Sequence, residues 1–138
     1  MGYVENLKIH HIGYAVKDID KSIAIFRNLG YVVAPKSYDK ERKVIIAFAE
    51  KSQYLIELIS PLEEGSPVDS ILRKNGSTPY HICYEVDNIE TACCELKKEK
   101  FRPISESKAA PAIQNANVIF LYNPTVGLIE LVEKSNNQ

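Results

Sequence analysis

Neither sign of charge dominates this chain. Seventeen lysines and arginines stand against 18 aspartates and glutamates in 138 residues, a net charge of −1 at pH 7. Proteins that bind nucleic acid or anionic membranes usually carry a basic surplus, so this balance argues against both partners and points to a small molecule. Long apolar runs are missing too. The longest, Val44 to Ala49, is far short of the ~20 residues that span a bilayer, which predicts no membrane partner. The opening M-G-Y-V-E-N-L-K is charged and does not read as a signal peptide, and Asn6 stands where a myristoylation motif needs Ser or Thr. Cysteine is scarce, odd in number and without a C-x-x-C: Cys83, Cys93 and Cys94 predict reduced thiols in a cytoplasmic protein. What remains is an ordinary mixture, 45% hydrophobic and 25% charged. At this length it predicts one domain that needs no cross-links to fold.

The chain contains an internal repeat. H-I-G-Y-A-V-K-D-I at residues 11–19 is answered by H-I-C-Y-E-V-D-N-I at 81–89, a spacing of 70, with His11/His81, Ile12/Ile82, Tyr14/Tyr84, Val16/Val86 and Ile19/Ile89 identical. Asp18 and Asn88 both suit a helix N-cap, and Ile19, Ile23 and Phe26 answer Ile89, Cys93 and Leu96 as one apolar helix stripe in each copy. Gly30 suits the helix exit, and Tyr31 matches Phe101 at the start of a second strand. V-I-I-A-F at 44–48 aligns with V-I-F-L-Y at 118–122 at a spacing of 74, and L-I-E-L at 55–58 recurs at 128–131 at 73. Each copy therefore reads strand, helix, strand, strand, strand, with strands at about 8–16, 31–35, 43–49 and 53–59, then 78–86, 101–106, 117–122 and 127–133. The helices fall at 19–29 and 89–99. The expected fold is α+β: two βαβββ modules, at about 7–60 and 78–134, related by pseudo-twofold symmetry within a single domain at 1–138 and forming a curved mixed sheet. A connecting helix is expected at about 66–75, with Ser66 as cap, Pro67 at the first helical position and Gly76 at the exit. The ends, before Leu7 and after Lys134, read as frayed.

The repeat brings four polar residues to equivalent places. His11 and His81 lie in the first strand of each copy, while Glu57 and Glu130 sit mid-strand in Leu-Ile-Glu-Leu. A carboxylate inside an apolar strand is costly unless it is solvated, paired or bound to a cation. Strand alternation sets Ile12, Tyr14 and Val16 on the helix-covered face and His11, Gly13 and Ala15 on the other, and it turns Glu57 toward the histidines while Ile56 and Leu58 face the helix. A lone strand histidine is most often a hydrogen-bonded structural residue, and Glu57 alone would read as an edge glutamate facing water. Four such residues at repeat-equivalent positions instead predict a divalent metal site of two imidazoles and two carboxylates. That donor set suits Co, Ni, Mn, Fe or Zn better than Ca or Mg. His10 faces the opposite way and reads as structural or exposed. Cys93 and Cys94 read as small apolar helix residues, and Cys83 shares the face of His81.

At these residues the chain resembles the vicinal oxygen chelate superfamily, the glyoxalase and bleomycin-resistance fold of paired βαβββ modules. Within it, H-H-I-G-Y-A-V-K-D-I-D-K-S-I, E-R-K-V-I-I-A-F, I-E-L-I-S-P-L-E-E-G-S-P, Y-H-I-C-Y-E-V-D-N-I-E and G-L-I-E-L-V-E are most similar to methylmalonyl-CoA epimerases. The resemblance implies metal ligands at His11, Glu57, His81 and Glu130. Some epimerases have Gln at the Glu57 position, and glyoxalase I has Glu there. It also implies catalytic carboxylates at Glu41 and Glu130, on opposite faces of an acyl-CoA, one removing the C2 proton and the other returning it through a metal-stabilised enolate. At a spacing of 74 the partner of Glu41 is Asn115, so this acid breaks the symmetry. Two segments depart from the epimerase pattern: S-K-A-A-P-A-I-Q-N-A-N at 107–117, where a glycine-rich loop is usual, and the short turn N-P-T-V-G at 123–127. The main alternative is glyoxalase I (lactoylglutathione lyase), which isomerises a thiol adduct with the same ligand types, although its bacterial D-P-D-G turn is not matched here. A non-catalytic binding module and an extradiol dioxygenase are the remaining readings. A homodimer is what the family implies.

Overall fold

The structure, a computed structural model, describes residues 3–135. Residues 11–80 pack as one compact unit and residues 81–135, with 3–10, as another. The first contains α1 (Ile19–Asn28), β2 (Val32–Val33), β3 (Ser37–Asp39), β4 (Val44–Lys51), β5 (Tyr54–Pro61), α2 (Asp69–Asn75) and the greater part of β1 (Lys8–Ala15). Its strand order is β2-β4-β5-β1, with β3 paired to β4. β1 runs parallel to β5 and β4 antiparallel to it, so the sheet is mixed. The second unit contains the greater part of β6 (Thr78–Val86), with α3 (Ile89–Lys97), β7 (Arg102–Pro103), β8 (Lys108–Ala110), β9 (Ala116–Asn123) and β10 (Gly127–Glu133). Its order, β7-β9-β10-β6 with β8 on β9, repeats the first unit strand for strand.

Each helix covers one sheet face, the first with the expected stripe and the second with Ala92 buried where Cys93 was expected. Ile19 and Ile23 are buried with Val16, Ala47, Ala49 and Leu58, and Phe26 packs against them. In the other unit Ile89, Ala92 and Leu96 are buried with Ile119, Leu121, Ile129 and Leu131, and Cys93 packs at the margin. The caps are those expected: the Lys21 N–H donates to Asp18 Oδ1 at 3.0 Å and the Thr91 N–H to Asn88 Oδ1 at 2.9 Å. Both helices close with the same motif. The Tyr31 N–H donates to Phe26 O at 3.0 Å and the Gly30 N–H to Arg27 O at 3.0 Å, while Phe101 donates to Leu96 O at 3.2 Å and Lys100 to Lys97 O at 3.0 Å. This closure needs a left-handed residue, and the two copies fill it differently: Gly30 at φ 96° and Lys100 at φ 72°. A lysine there carries a Cβ clash of about 1 kcal/mol that glycine lacks. Lys100→Gly is expected to raise the unfolding free energy by about 1 kcal/mol, and Gly30→Ala to lower it by about as much, read from urea denaturation midpoints.

Three expectations are corrected. The connecting helix is shorter than 66–75: it runs Asp69–Asn75, Val68 is its N-cap, and Ser66 and Pro67 lie in the preceding turn. The Asp69 carboxylate closes that turn by accepting the Gly65 and Ser66 N–H groups at 3.0 and 3.1 Å. The chain before Leu7 is not all frayed, since Tyr3–Asn6 form a 3-10 turn and Val4 packs on the core of the second unit with Leu7. The third correction concerns register. Phe48 lies opposite Glu57 and Phe120 opposite Glu130, so β4 and β9 correspond at a spacing of 72, not 74. The spacing is 70 at β2/β7, 71 at β3/β8, 72 at β4/β9 and 73 at β5/β10, one residue being added in each successive loop. The last step is plain: Lys51 pairs with Tyr54 across two residues, whereas Asn123 pairs with Gly127 across three. Apolar strands with similar letters align equally well at neighbouring offsets, and only cross-strand pairing chooses among them.

Candidate active site

Within the first unit His11 and Glu57 meet. Glu57 stands between two neighbouring strands, beside Gly13 of β1 and Phe48 of β4. Its Oε1 lies 3.0 Å from His11 Nε2, and both residues are buried, 4% and 1% exposed. The Phe48 ring meets the His11 imidazole edge-on, centroids 5.4 Å apart at 78°. The alternation inferred from the sequence is correct here, because Tyr14, Val16, Ile56 and Leu58 all lie in the helix-side core.

The second unit repeats this construction. Glu130 lies beside Cys83 of β6 and Phe120 of β9. Its Oε1 is 3.1 Å from His81 Nε2, both side chains are buried, and the Phe120 ring stands 5.4 Å from the imidazole at 88°. Glu133 ties the same strand to α3, its Oε2 accepting the Ile89 N–H at 2.9 Å.

These contacts fit a divalent metal. Two ligands bound cis to one ion at about 2.1 Å stand about 3.0 Å apart, close to the spacing within each pair. Each pair offers one imidazole nitrogen and one carboxylate oxygen. The phenylalanine edges pack against both imidazole rings, and all four polar side chains are buried, so each needs a polar or metal partner.

Glu41 is placed differently. It lies exposed in the turn at residues 40–43 that joins β3 to β4. The corrected register moves Asn115 from Glu41 to Lys43, whose φ of 59° it shares at 61°. The counterpart turn, Pro111 to Asn115, is one residue longer and contains no acid, so the asymmetry at Glu41 stands on a different alignment. That turn belongs to the unusual segment at 107–117, where β8 and a 3-10 turn at Pro111–Ile113 lead into left-handed Gln114 and Asn115.

His10 is half-buried, and no disulfide forms among the described residues. Cys83 is buried with Ala110, Val118 and Val132. Burial pushes the Cys93 thiol above its usual range, with Cys94 adding to the shift and Lys97 opposing it. Sequence reasoning missed Phe48 and Phe120 as ring partners because it aligned Phe48 with Tyr122. It also missed the buried Asp39, whose carboxylate accepts from the Arg42 backbone N–H at 3.0 Å and from its guanidinium at 2.8 Å. An acid three residues before an arginine was the available signal.

Residues 10–134 match the Glyoxalase/Bleomycin resistance protein/Dioxygenase superfamily. The chain belongs to this superfamily. Its glyoxalase-like α+β fold is also that of methylmalonyl-CoA epimerase from Mycobacterium tuberculosis, with a TM-score of 0.79 and 26% identity over 92% of this chain and 87% of that one. In sequence this superfamily member is 38% identical to the mitochondrial methylmalonyl-CoA epimerase of Homo sapiens over 135 residues, 94% of this chain and 76% of the relative. It is 32% identical to the ethylmalonyl-CoA/methylmalonyl-CoA epimerase of Cereibacter sphaeroides, over 83% of this chain and 87% of that protein. Among the described residues no helix is long and apolar enough to cross a membrane.

Proposed function

We propose that the protein is a metal-dependent epimerase of a 2-substituted malonyl-CoA thioester, methylmalonyl-CoA above all, acting as a single domain and a homodimer in the cytoplasm. The observation that carries this reading is the pair of buried His–Glu contacts at repeat-equivalent positions. His11, Glu57, His81 and Glu130 together would hold one divalent ion, with Co, Ni, Mn, Fe and Zn suited to two nitrogens and two oxygens. Such an ion supplies a Lewis acid for the negative charge that develops on the thioester oxygen. The chain's own work is proton transfer. Glu41 and Glu130 would stand on opposite faces of C2, one starting as carboxylate and the other as carboxylic acid. The carboxylate takes the C2 proton, the C–H electron pair passes into the enolate, and the acid protonates C2 from the other face. The result is inversion with each carboxyl group in the other's starting state. The names of the relatives support the substrate, and the acid confined to one module supports a two-base arrangement.

Purified protein loaded with Co or Ni and given methylmalonyl-CoA in deuterated water is expected to exchange the C2 proton and to interconvert the epimers. It is expected to leave methylglyoxal plus thiol unchanged. Absence of C2 exchange would remove the epimerase reading, and turnover of the thiol adduct would put glyoxalase I in its place.

A further inference from the structure

We propose that Asp39 is a positioning residue for Glu41, fixing the turn that presents this carboxylate to C2; the inference rests on the epimerase reading above. Glu41 is exposed on a four-residue turn, so the course of that turn's backbone sets where its carboxylate can reach. That backbone is clamped at both ends. At the front, Asp39 ends β3 opposite Val44 and is buried, 4% exposed, with both carboxylate oxygens engaged by Arg42. Oδ1 accepts the Arg42 backbone N–H at 3.0 Å, which folds the chain back directly after Glu41. Oδ2 takes the Arg42 guanidinium at 2.8 Å, a bond strengthened by charge on both partners. At the rear, Lys43 is held left-handed at φ 59°, and its carbonyl accepts the Leu62 N–H at 2.9 Å just beyond β5, the strand that carries Glu57.

The other copy supplies the comparison. At the β8 position equivalent to Asp39 stands Ala110, and the turn after it carries no acid. The clamp and the acid are therefore present together in one module and missing together in the other, although both modules close the same strand connection. The second closes it with a turn one residue longer, in which the Asn115 N–H donates to Ala110 O at 2.9 Å, so closing the connection does not of itself require a buried carboxylate. Positioning a reacting group explains why it occurs once.

The test separates positioning from general damage by using the two C2 epimers individually. In deuterated water, exchange with retention begins at Glu41 for one epimer and at Glu130 for the other. Asp39→Ala is expected to slow exchange from the Glu41-dependent epimer about 10- to 100-fold, the scale on which a displaced catalytic group loses rate, while exchange with retention from the other epimer stays near wild type. Bound metal, measured by elemental analysis, is expected to be unchanged. Asp39→Asn keeps an oxygen for the Arg42 N–H and is expected to recover most of the lost rate. Equal losses for both epimers, no loss for either, or failure of the Asn variant to recover would each overturn the positioning role. A wild-type protein that exchanges neither epimer would overturn the epimerase reading itself and this inference with it.

Discussion

His11→Ala is expected to strip the protein of tightly bound divalent metal and to lower C2 exchange by about 10²- to 10³-fold. That is the size of a several-kcal/mol Lewis-acid contribution lost from the transition state. The same change removes the imidazole 3.0 Å from a glutamate that is 4% exposed. Losing one buried hydrogen-bond partner typically costs about 1–3 kcal/mol. The variant should therefore also unfold at lower urea, and its metal content should be read on protein shown to be folded by circular dichroism. Glu57→Gln is the companion. It keeps the side-chain shape and one oxygen donor, as in epimerases that carry Gln at this place, and is expected to retain metal and most of the activity. A His11→Ala protein with full metal and full exchange would sink the ligand assignment.

Glu41→Gln is expected to reduce epimerisation by about 10²- to 10⁴-fold, the range set by loss of one positioned acid–base group, with bound metal unchanged. The amide keeps the size of the side chain but cannot hold the transferred proton. Because Glu41 lies in an exposed turn, the unfolding midpoint should move little, within the ±0.5 kcal/mol usual for surface sites. Elemental analysis, denaturation and an epimer-resolved assay give three independent readings of one variant. Loss of metal with loss of activity would assign Glu41 to metal binding, and unchanged epimerisation would dismiss it as a base. Opposite signatures are thus expected at the two sites: His11→Ala alters metal, stability and rate together, Glu41→Gln the rate alone.

Much of the candidate site is legible in the sequence, and the reasons are local. Identity over 11–19 and 81–89 established the duplication, and period-two alternation then assigned His11 and Glu57 to one face and Tyr14, Val16, Ile56 and Leu58 to the other. Asp18 and Asn88 announced their helices because a short side chain that accepts a first-turn N–H works within a few residues of chain. The short strands Ser37–Asp39 and Lys108–Ala110 were not legible, because three residues are too few to show a period. Ser66 suggested a helix start that Asp69 supplied instead, by turning its carboxylate back on the Gly65 and Ser66 N–H groups.

The sequence by itself determined the duplicated α+β architecture and the four repeat-equivalent His and Glu positions, since each follows from identity or alternation along neighbouring residues; Glu41 came from the family resemblance alone. Tertiary structure alone decided the register of β4 and β9, and with it the partnership of Phe48 with His11, of Phe120 with His81, and of Asn115 with Lys43 instead of Glu41. It alone disclosed the Asp39–Arg42 clamp. The physical reason is the same throughout. A strand's faces are set by its own backbone, but its offset against a neighbour is set by turn lengths and cross-strand hydrogen bonds, which runs of similar apolar letters do not encode.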